Sequence, residues 1–166
     1  KLLPDLKVIT GLRQEHDHRS ITNFSTQAYP AQTWATVSGA SQSLSSDGTS
    51  GKLGLEYNIA PQTLGYASVS RGIKSGGITA HNTFNVLALT PFKPETLVAY
   101  EVGVKSDVSS NLRINAALFH YDYRNQQFQD VTTSSSGALI GKIININKSH
   151  VDGGEVELLW RPLAGL

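Results

Sequence analysis

The sequence predicts an all-β fold, an antiparallel meander of long strands that forms part of a transmembrane β-barrel. Apolar and polar residues alternate with a period of two in successive runs, with turn-forming residues between the runs. The connections alternate strictly between long loops and short turns. The longest run covers roughly 20 residues, against a usual 3–10 in globular sheets. Short turns at one end and long loops at the other are typical of membrane-spanning barrels.

The first predicted strand runs from Leu6 to about Asp17. One face carries Leu6, Val8, Thr10 and Leu12, and the other carries Lys7, Gly11, Arg13, Glu15 and Asp17, with Ile9 as the one apolar residue among them. The stretch from Ser20 to Ser50 is rich in Ser, Thr, Gln and Gly and is predicted to be a loop, because it contains Ser41-Gln42-Ser43 and the turn-former Asp47-Gly48. Part of it, Thr33 to Val37, could still pair as a strand extension.

The second predicted strand, Lys52 to Ile59, places Leu53, Leu55, Tyr57 and Ile59 on one face. A short turn at Ala60-Pro61-Gln62-Thr63 follows, because proline cannot donate a hydrogen bond to a ladder. The third strand, Leu64 to Lys74, ends at Ser75-Gly76-Gly77. A second long loop then extends to Lys93-Pro94-Glu95.

The fourth predicted strand has the clearest alternation in the chain. Val98, Tyr100, Val102 and Val104 are predicted to face lipid, and Glu101, Gly103 and Lys105 occupy the opposite face, toward the lumen. A tight turn at Asp107 to Asn111 leads to the fifth strand.

The fifth predicted strand, Leu112 to about Val131, changes parity within its length. Leu112, Ile114, Ala116 and Leu118 share one face, whereas Phe119, Tyr121 and Tyr123 lie on the other. Either a bulge near Leu118 restores one apolar face, or the strand leaves the membrane there and its aromatic residues serve a girdle or the lumen. After a third loop at Thr132 to Gly137, the last strand runs from about Leu139 to Arg161, with a predicted bulge or kink at Gly153-Gly154.

Composition limits the classes of function. The 166 residues suffice for one domain, and 39% hydrophobic residues fit a barrel whose strands are apolar on one face only. A net charge of +1 without a basic run argues against nucleic-acid binding. Without cysteine there is no disulfide and no thiolate metal site. Transmembrane helices are excluded by the lack of a long apolar run. Because Lys1 is not followed by an apolar leader, no signal peptide is expected, as in a mature or truncated chain.

Three motifs invite a catalytic or ligand-binding interpretation, and a structural one is preferred for each. His16-Asp17-His18 puts two imidazoles on one side of a strand but lacks a third metal ligand with convincing spacing. The stretch from Gly72 to Gly77 lacks the Gly-Lys pair and the following helix of a phosphate-binding loop. Glu101, Glu155 and Glu157 suit a wet lumen better than acid–base chemistry. No cofactor is expected, and no catalytic set is recognised.

Four stretches, in order, resemble the barrel of TonB-dependent receptors. The first is Tyr66-Ala67-Ser68-Val69-Ser70-Arg71-Gly72-Ile73-Lys74-Ser75-Gly76-Gly77. The second is Pro94-Glu95-Thr96-Leu97 with Ala99-Tyr100-Glu101-Val102-Gly103-Val104-Lys105-Ser106. The third is Asn115-Ala116-Ala117-Leu118-Phe119-His120-Tyr121-Asp122-Tyr123. The fourth is Gly154-Glu155-Val156-Glu157 with Trp160-Arg161-Pro162. Together they cover roughly Leu53 to Pro162.

The resemblance implies a non-enzymatic receptor of the bacterial outer membrane. Its expected partners are the TonB complex, reached through an N-terminal region not seen here, outer-membrane lipid, and a scarce nutrient, most often a ferric siderophore. The family's barrel has about 22 strands around a plug. Residues 1–166 are therefore expected to be a partial barrel of about six strands, without plug or remaining strands. The candidate ligand contacts in lumen and loops are Arg13, Glu15, Asp17, His81 and Glu101.

Two alternatives stay open. A passive porin would share the location and the barrel but would have no gating partner. A soluble antiparallel β-domain, acting as an adhesin or a carbohydrate-binding module, would not need detergent to stay in solution.

Overall fold

The computed structural model describes residues 5–24, 40–83, 86–133, 137 and 139–162. The strands are β1 (Leu6–Phe24), β2 (Ala40–Ala60), β3 (Thr63–Lys74), β4 (Gly77–Thr83), β5 (Val86–Phe92), β6 (Glu95–Ser109), β7 (Leu112–Thr133) and β8 (Leu139–Trp160). Within these residues there is no helix long and apolar enough to cross a membrane.

Six strands form one antiparallel sheet in the order β1-β2-β3-β6-β7-β8, and β4 pairs with β5 in a separate hairpin. The all-β meander predicted from the sequence is confirmed. The two short connections, Pro61-Gln62 and Ser110-Asn111, lie at the same end of the sheet, because Thr63 at the start of β3 is the cross-strand partner of Ser106 near the end of β6. The hairpin interrupts the chain between β3 and β6, which nonetheless pair directly.

The register separates the side chains into an apolar face and a polar face. One row of cross-strand partners runs through Val8, Leu55, Ala67, Val102, Leu118 and Gly154. Side chains two residues away along each strand share its face, since strand side chains alternate. This apolar face leaves large side chains open to solvent, including Val102 (55% exposed), Leu118 (65%) and Val156 (70%).

The structure corrects the sequence interpretation at both long loops. Ser41-Gln42-Ser43 and Asp47-Gly48 lie within β2, paired with β1 up to Phe24, and are not loop residues. Thr33 to Val37 lies outside the described residues. The second loop contains the β4–β5 hairpin, which the sequence did not predict. In the third predicted loop, Thr132 and Thr133 belong to β7 and pair with β8, whereas residues 134–136 lie outside the described residues.

The register is continuous near Leu118, where a bulge was one of two alternatives, and at Gly153-Gly154, where a bulge or kink was predicted. Leu118 pairs with Val102 and Gly154, and Phe119 pairs with Glu101 and Gly153, without a shift of register. Gly153 has a different role: a Cβ atom there would collide with the Phe119 ring, which lies across the glycine. The change of parity in β7 therefore places Phe119, together with Tyr121, on the polar face, where the two rings stack 4.7 Å apart.

Candidate functional site

The polar face is the candidate functional surface, and its middle is built around Glu101. The Tyr66 hydroxyl donates a hydrogen bond to the Glu101 carboxylate (2.7 Å), and the Lys105 ammonium lies 5.4 Å from the centre of the Tyr66 ring. Gly103 makes this arrangement possible, because a Cβ atom there would lie 2.6 Å from the ring of Tyr66. Glu101 is therefore held by neighbours in the wall and does not project as an isolated carboxylate.

A second polar contact continues the same wall toward the short-turn end. The side-chain amide of Asn115 donates to Glu157 at 2.7 Å, and Asn115 is the cross-strand partner of both Lys105 and Glu157. Glu155 lies on the same face, as partner of Ala117. Carboxylates, amides and a cation thus line this face, as the sequence predicts for a wet lumen.

Three of the predicted ligand contacts lie together on β1, toward the loop end of the sheet. Arg13 forms an ion pair with Glu15 (2.8 Å), and Asp17 forms one with Arg19 (2.8 Å). Because the two arginines are largely exposed, these pairs contribute little stability. The two ion pairs nevertheless hold the carboxylates of Glu15 and Asp17 in position. Ser75, at the base of the hairpin, donates to Glu15 at 3.3 Å.

Asp17 remains ionised at neutral pH. Desolvation alone would raise the pKa of this carboxyl, but the hydrogen bond from Arg19 and the positive charge of its guanidinium outweigh it and hold the pKa below its usual range. The loop end of the polar face thus presents two neighbouring ion pairs, Asp17 with Arg19 and Glu15 with Arg13.

The β4–β5 hairpin is tied to the sheet by two amide side chains that the sequence analysis did not identify. Gln127 donates to the backbone carbonyls of Ser75 (2.9 Å) and Lys93 (3.2 Å). Asn145, the cross-strand partner of Gln127, accepts from the Lys93 backbone N–H (2.8 Å) and donates to the Lys93 carbonyl (3.0 Å). The ends of the hairpin are therefore fixed to β7 and β8.

Arg13, Glu15 and Asp17 form the β1 cluster. The two remaining predicted contacts, His81 and Glu101, lie apart from it. His81 lies in β4, paired with Ala88, and its side chain is outside the described part of the structure. Glu101 pairs with Ser68 in the row that reaches β1 at Ile9, nearer the short turns than Arg13. Only Arg13, Glu15 and Asp17 are thus brought together, next to Ser75.

The His16-Asp17-His18 motif is divided between the two faces. His16 contacts Asp47 through Nδ1 at 2.7 Å, and His18 contacts Ser45 at 2.8 Å, whereas Asp17 lies on the polar face with Arg19. Among the described residues, no three His, Cys, Asp or Glu side chains come together to hold a metal ion.

The whole chain, residues 1–166, matches the family model described as TonB dependent receptor-like, beta-barrel. Solved structures of similar fold include the ferric yersiniabactin uptake receptor FyuA from Yersinia pestis. It has 21% identity and a TM-score of 0.74 over 99% of this chain and 23% of that one. The ferric-catecholate import receptor Fiu from K12 E. coli has 18% identity and a TM-score of 0.63, over 98% of this chain and 24% of that one.

The copper transporter OprC is similar in fold as well, at 15% identity and a TM-score of 0.75, with 99% of this chain and 25% of that chain covered. The chain spans about a quarter of the length of these structures. The likenesses therefore concern the fold of a segment of each of these structures. The match of the family model over the full length shows that this chain belongs to the TonB-dependent receptor β-barrel family.

Proposed function

We propose that this chain is part of the wall of a bacterial outer-membrane receptor that imports a ferric siderophore with energy delivered through TonB. The observation that carries the proposal is the two-faced sheet: six long antiparallel strands with a continuous apolar row on one side and carboxylates, amides and Lys105 on the other. In hydrocarbon every backbone polar group needs a partner, and a sheet of this kind provides one when further strands close it into a barrel.

The apolar face is the surface proposed to meet lipid. A row parallel to that of Val8 starts at Leu12 and passes through Gly51, Arg71 and Val98 to Asp122 and His150. The row thus starts at an apolar residue on β1 and ends at polar residues on β7 and β8. A membrane boundary inclined to the rows is what strands tilted by about 35–45° produce.

The burial pattern disfavours the soluble alternative. Ala117 is the one buried apolar residue among those the structure describes, while the apolar face exposes long side chains on strand after strand. A water-soluble β-domain would cover such a face with a second layer. Lipid, or detergent, is the natural cover for this one.

The polar face is proposed to line the lumen, with the ligand bound near its loop end. Arg13, Glu15 and Asp17 lie there beside the hairpin, His81 lies within the hairpin, and Glu101 lies deeper. FyuA is a ferric yersiniabactin uptake receptor and Fiu is a ferric-catecholate import receptor, which supports an iron chelate as the cargo here. The receptor would extend beyond these residues, with a plug and further strands.

The test is uptake of a radiolabelled ferric siderophore by cells that carry the intact protein, with and without functional TonB. We expect accumulation against a gradient only when TonB is present. Uptake that is equal in both strains would indicate a passive porin and contradict the proposal.

A pair of variants locates the ligand contacts. Replacing Arg13 and Asp17 together with alanine should weaken binding of the ferric chelate in the intact receptor. Arg161→Ala, at the short-turn end, serves as the matched control and should bind normally. Equal binding by the unmodified receptor, the double variant and Arg161→Ala would show that the β1 cluster is not part of the ligand site.

A further inference from the structure

A pair of cations lies on the face that continues the apolar surface, at the loop end of β7 and β8. Along β7, alternation places His120, Asp122 and Arg124 in line beyond Leu118. Their cross-strand partners on β8 are Asp152, His150 and Lys148. Arg124 and Lys148 are therefore directly opposite each other, and both are exposed.

The carboxylates of this patch are engaged by the histidines. His120 contacts Asp152 through Nδ1 at 2.5 Å and approaches Asp122 through Nε2 at 3.5 Å. His150 lies 3.9 Å from the other oxygen of Asp152. Within the part of the chain that the structure describes, neither Arg124 nor Lys148 forms an ion pair or donates a side-chain hydrogen bond.

Like charges directly opposite each other on neighbouring strands destabilise a sheet. An anion between them removes that repulsion and gains charge-assisted hydrogen bonds. Phosphate suits the pair, because the planar guanidinium of Arg124 can donate two parallel bonds to it and the ammonium of Lys148 adds a point charge.

The position of the pair indicates where the phosphate comes from. A transmembrane strand needs about 9–11 residues to cross the hydrocarbon core. Counted from Leu112 at the short turn, this length places the opposite boundary of the core near Asp122. Arg124 and Lys148 then lie just outside the hydrocarbon, at the height of lipid headgroups on the loop side.

We propose that Arg124 and Lys148 bind the phosphate of a phosphorylated lipid headgroup in the membrane leaflet on the loop side, whose acyl chains lie against the apolar face. The proposal rests on the membrane orientation given above but is independent of the nutrient. Binding the lipid would fix the height of β7 and β8 in the bilayer.

The test uses the intact receptor in detergent, with phosphorylated lipid A as the probe and native mass spectrometry as the readout. Arg124→Gln combined with Lys148→Gln should reduce the fraction of protein carrying the lipid by about tenfold or more, since hydrogen bonds to charged groups are strong. Lys142→Gln is the matched control, because that lysine lies on the same strand opposite Asp130. It should retain the lipid.

Lipid retention by the double variant equal to that of the unmodified receptor would overturn the proposal. So would equal retention of dephosphorylated lipid A, or displacement of the lipid by millimolar inorganic phosphate, which would identify a site for free phosphate. Far-UV circular dichroism checks that each variant is folded. Arg124→Lys should carry more lipid than the double variant but less than the unmodified receptor, because it keeps the charge and loses the two parallel hydrogen bonds. TonB-dependent uptake is measured separately, so that failure of the lipid site is distinguished from failure of the transport proposal.

Discussion

Placing a charge on the apolar face tests the assignment of lipid and lumen sides. Val102 lies about seven residues from the end of β6 at Ser109. At about 3.3 Å per residue and a tilt of about 40°, this is about 18 Å above the short turns. The apolar band of an outer-membrane barrel is about 25 Å tall, so Val102 lies inside it, about 5 Å beyond its midplane when the band begins at the short turns.

Val102→Arg in the intact receptor should therefore lower the free energy of unfolding by about 2–4 kcal/mol, the penalty for arginine in the central part of the apolar band. This corresponds to about a 30- to 700-fold change in the folding equilibrium constant. Leu118→Arg, its partner in the same row, should behave alike.

The matched control is Ser68→Arg on the polar face, opposite Glu101. The new guanidinium would enter the proposed wet lumen beside a carboxylate, so we expect a loss below about 1 kcal/mol. The assay is a urea titration of folding into lipid vesicles. Equal losses for Val102→Arg and Ser68→Arg would refute the assignment of the two faces.

Two further substitutions test contacts on the polar face. Gly103→Ala should displace the Tyr66 ring and break its hydrogen bond to Glu101, which should lower the free energy of unfolding by about 1–3 kcal/mol. The control is Gly11→Ala, which should change it little because no atom lies within 4 Å of the new Cβ. Equal urea midpoints for the two variants would contradict this packing. Asn145→Ala removes the hydrogen bonds to Lys93 and should speed amide exchange within residues 77–92 while leaving β6 unchanged; exchange that stays slow would show that the hairpin is held by other contacts.

The errors of the sequence interpretation have a common physical cause. The segment from Ser41 to Gly48 forms a strand because β1 continues to pair with it beyond the apolar region. There both faces are polar, so the period-two pattern disappears although the backbone hydrogen bonds do not. The β4–β5 hairpin was missed because its two strands have only seven residues each and show no clear period-two alternation. Its ends are fixed to the sheet by Gln127 and Asn145, far away in the chain.

The sequence alone determined the strands that cross the apolar region and, except beyond Leu118 in β7, the face on which their side chains lie, because a pleated strand turns alternate side chains to opposite sides. It also placed the two short turns and carried the resemblance to the family. Only the tertiary structure decided which glycines make room for rings, and which polar residues meet. Gly103 accepts Tyr66 from β3 and Gly153 accepts Phe119 from β7. Such contacts depend on which strands become neighbours and in what register, which no local pattern encodes.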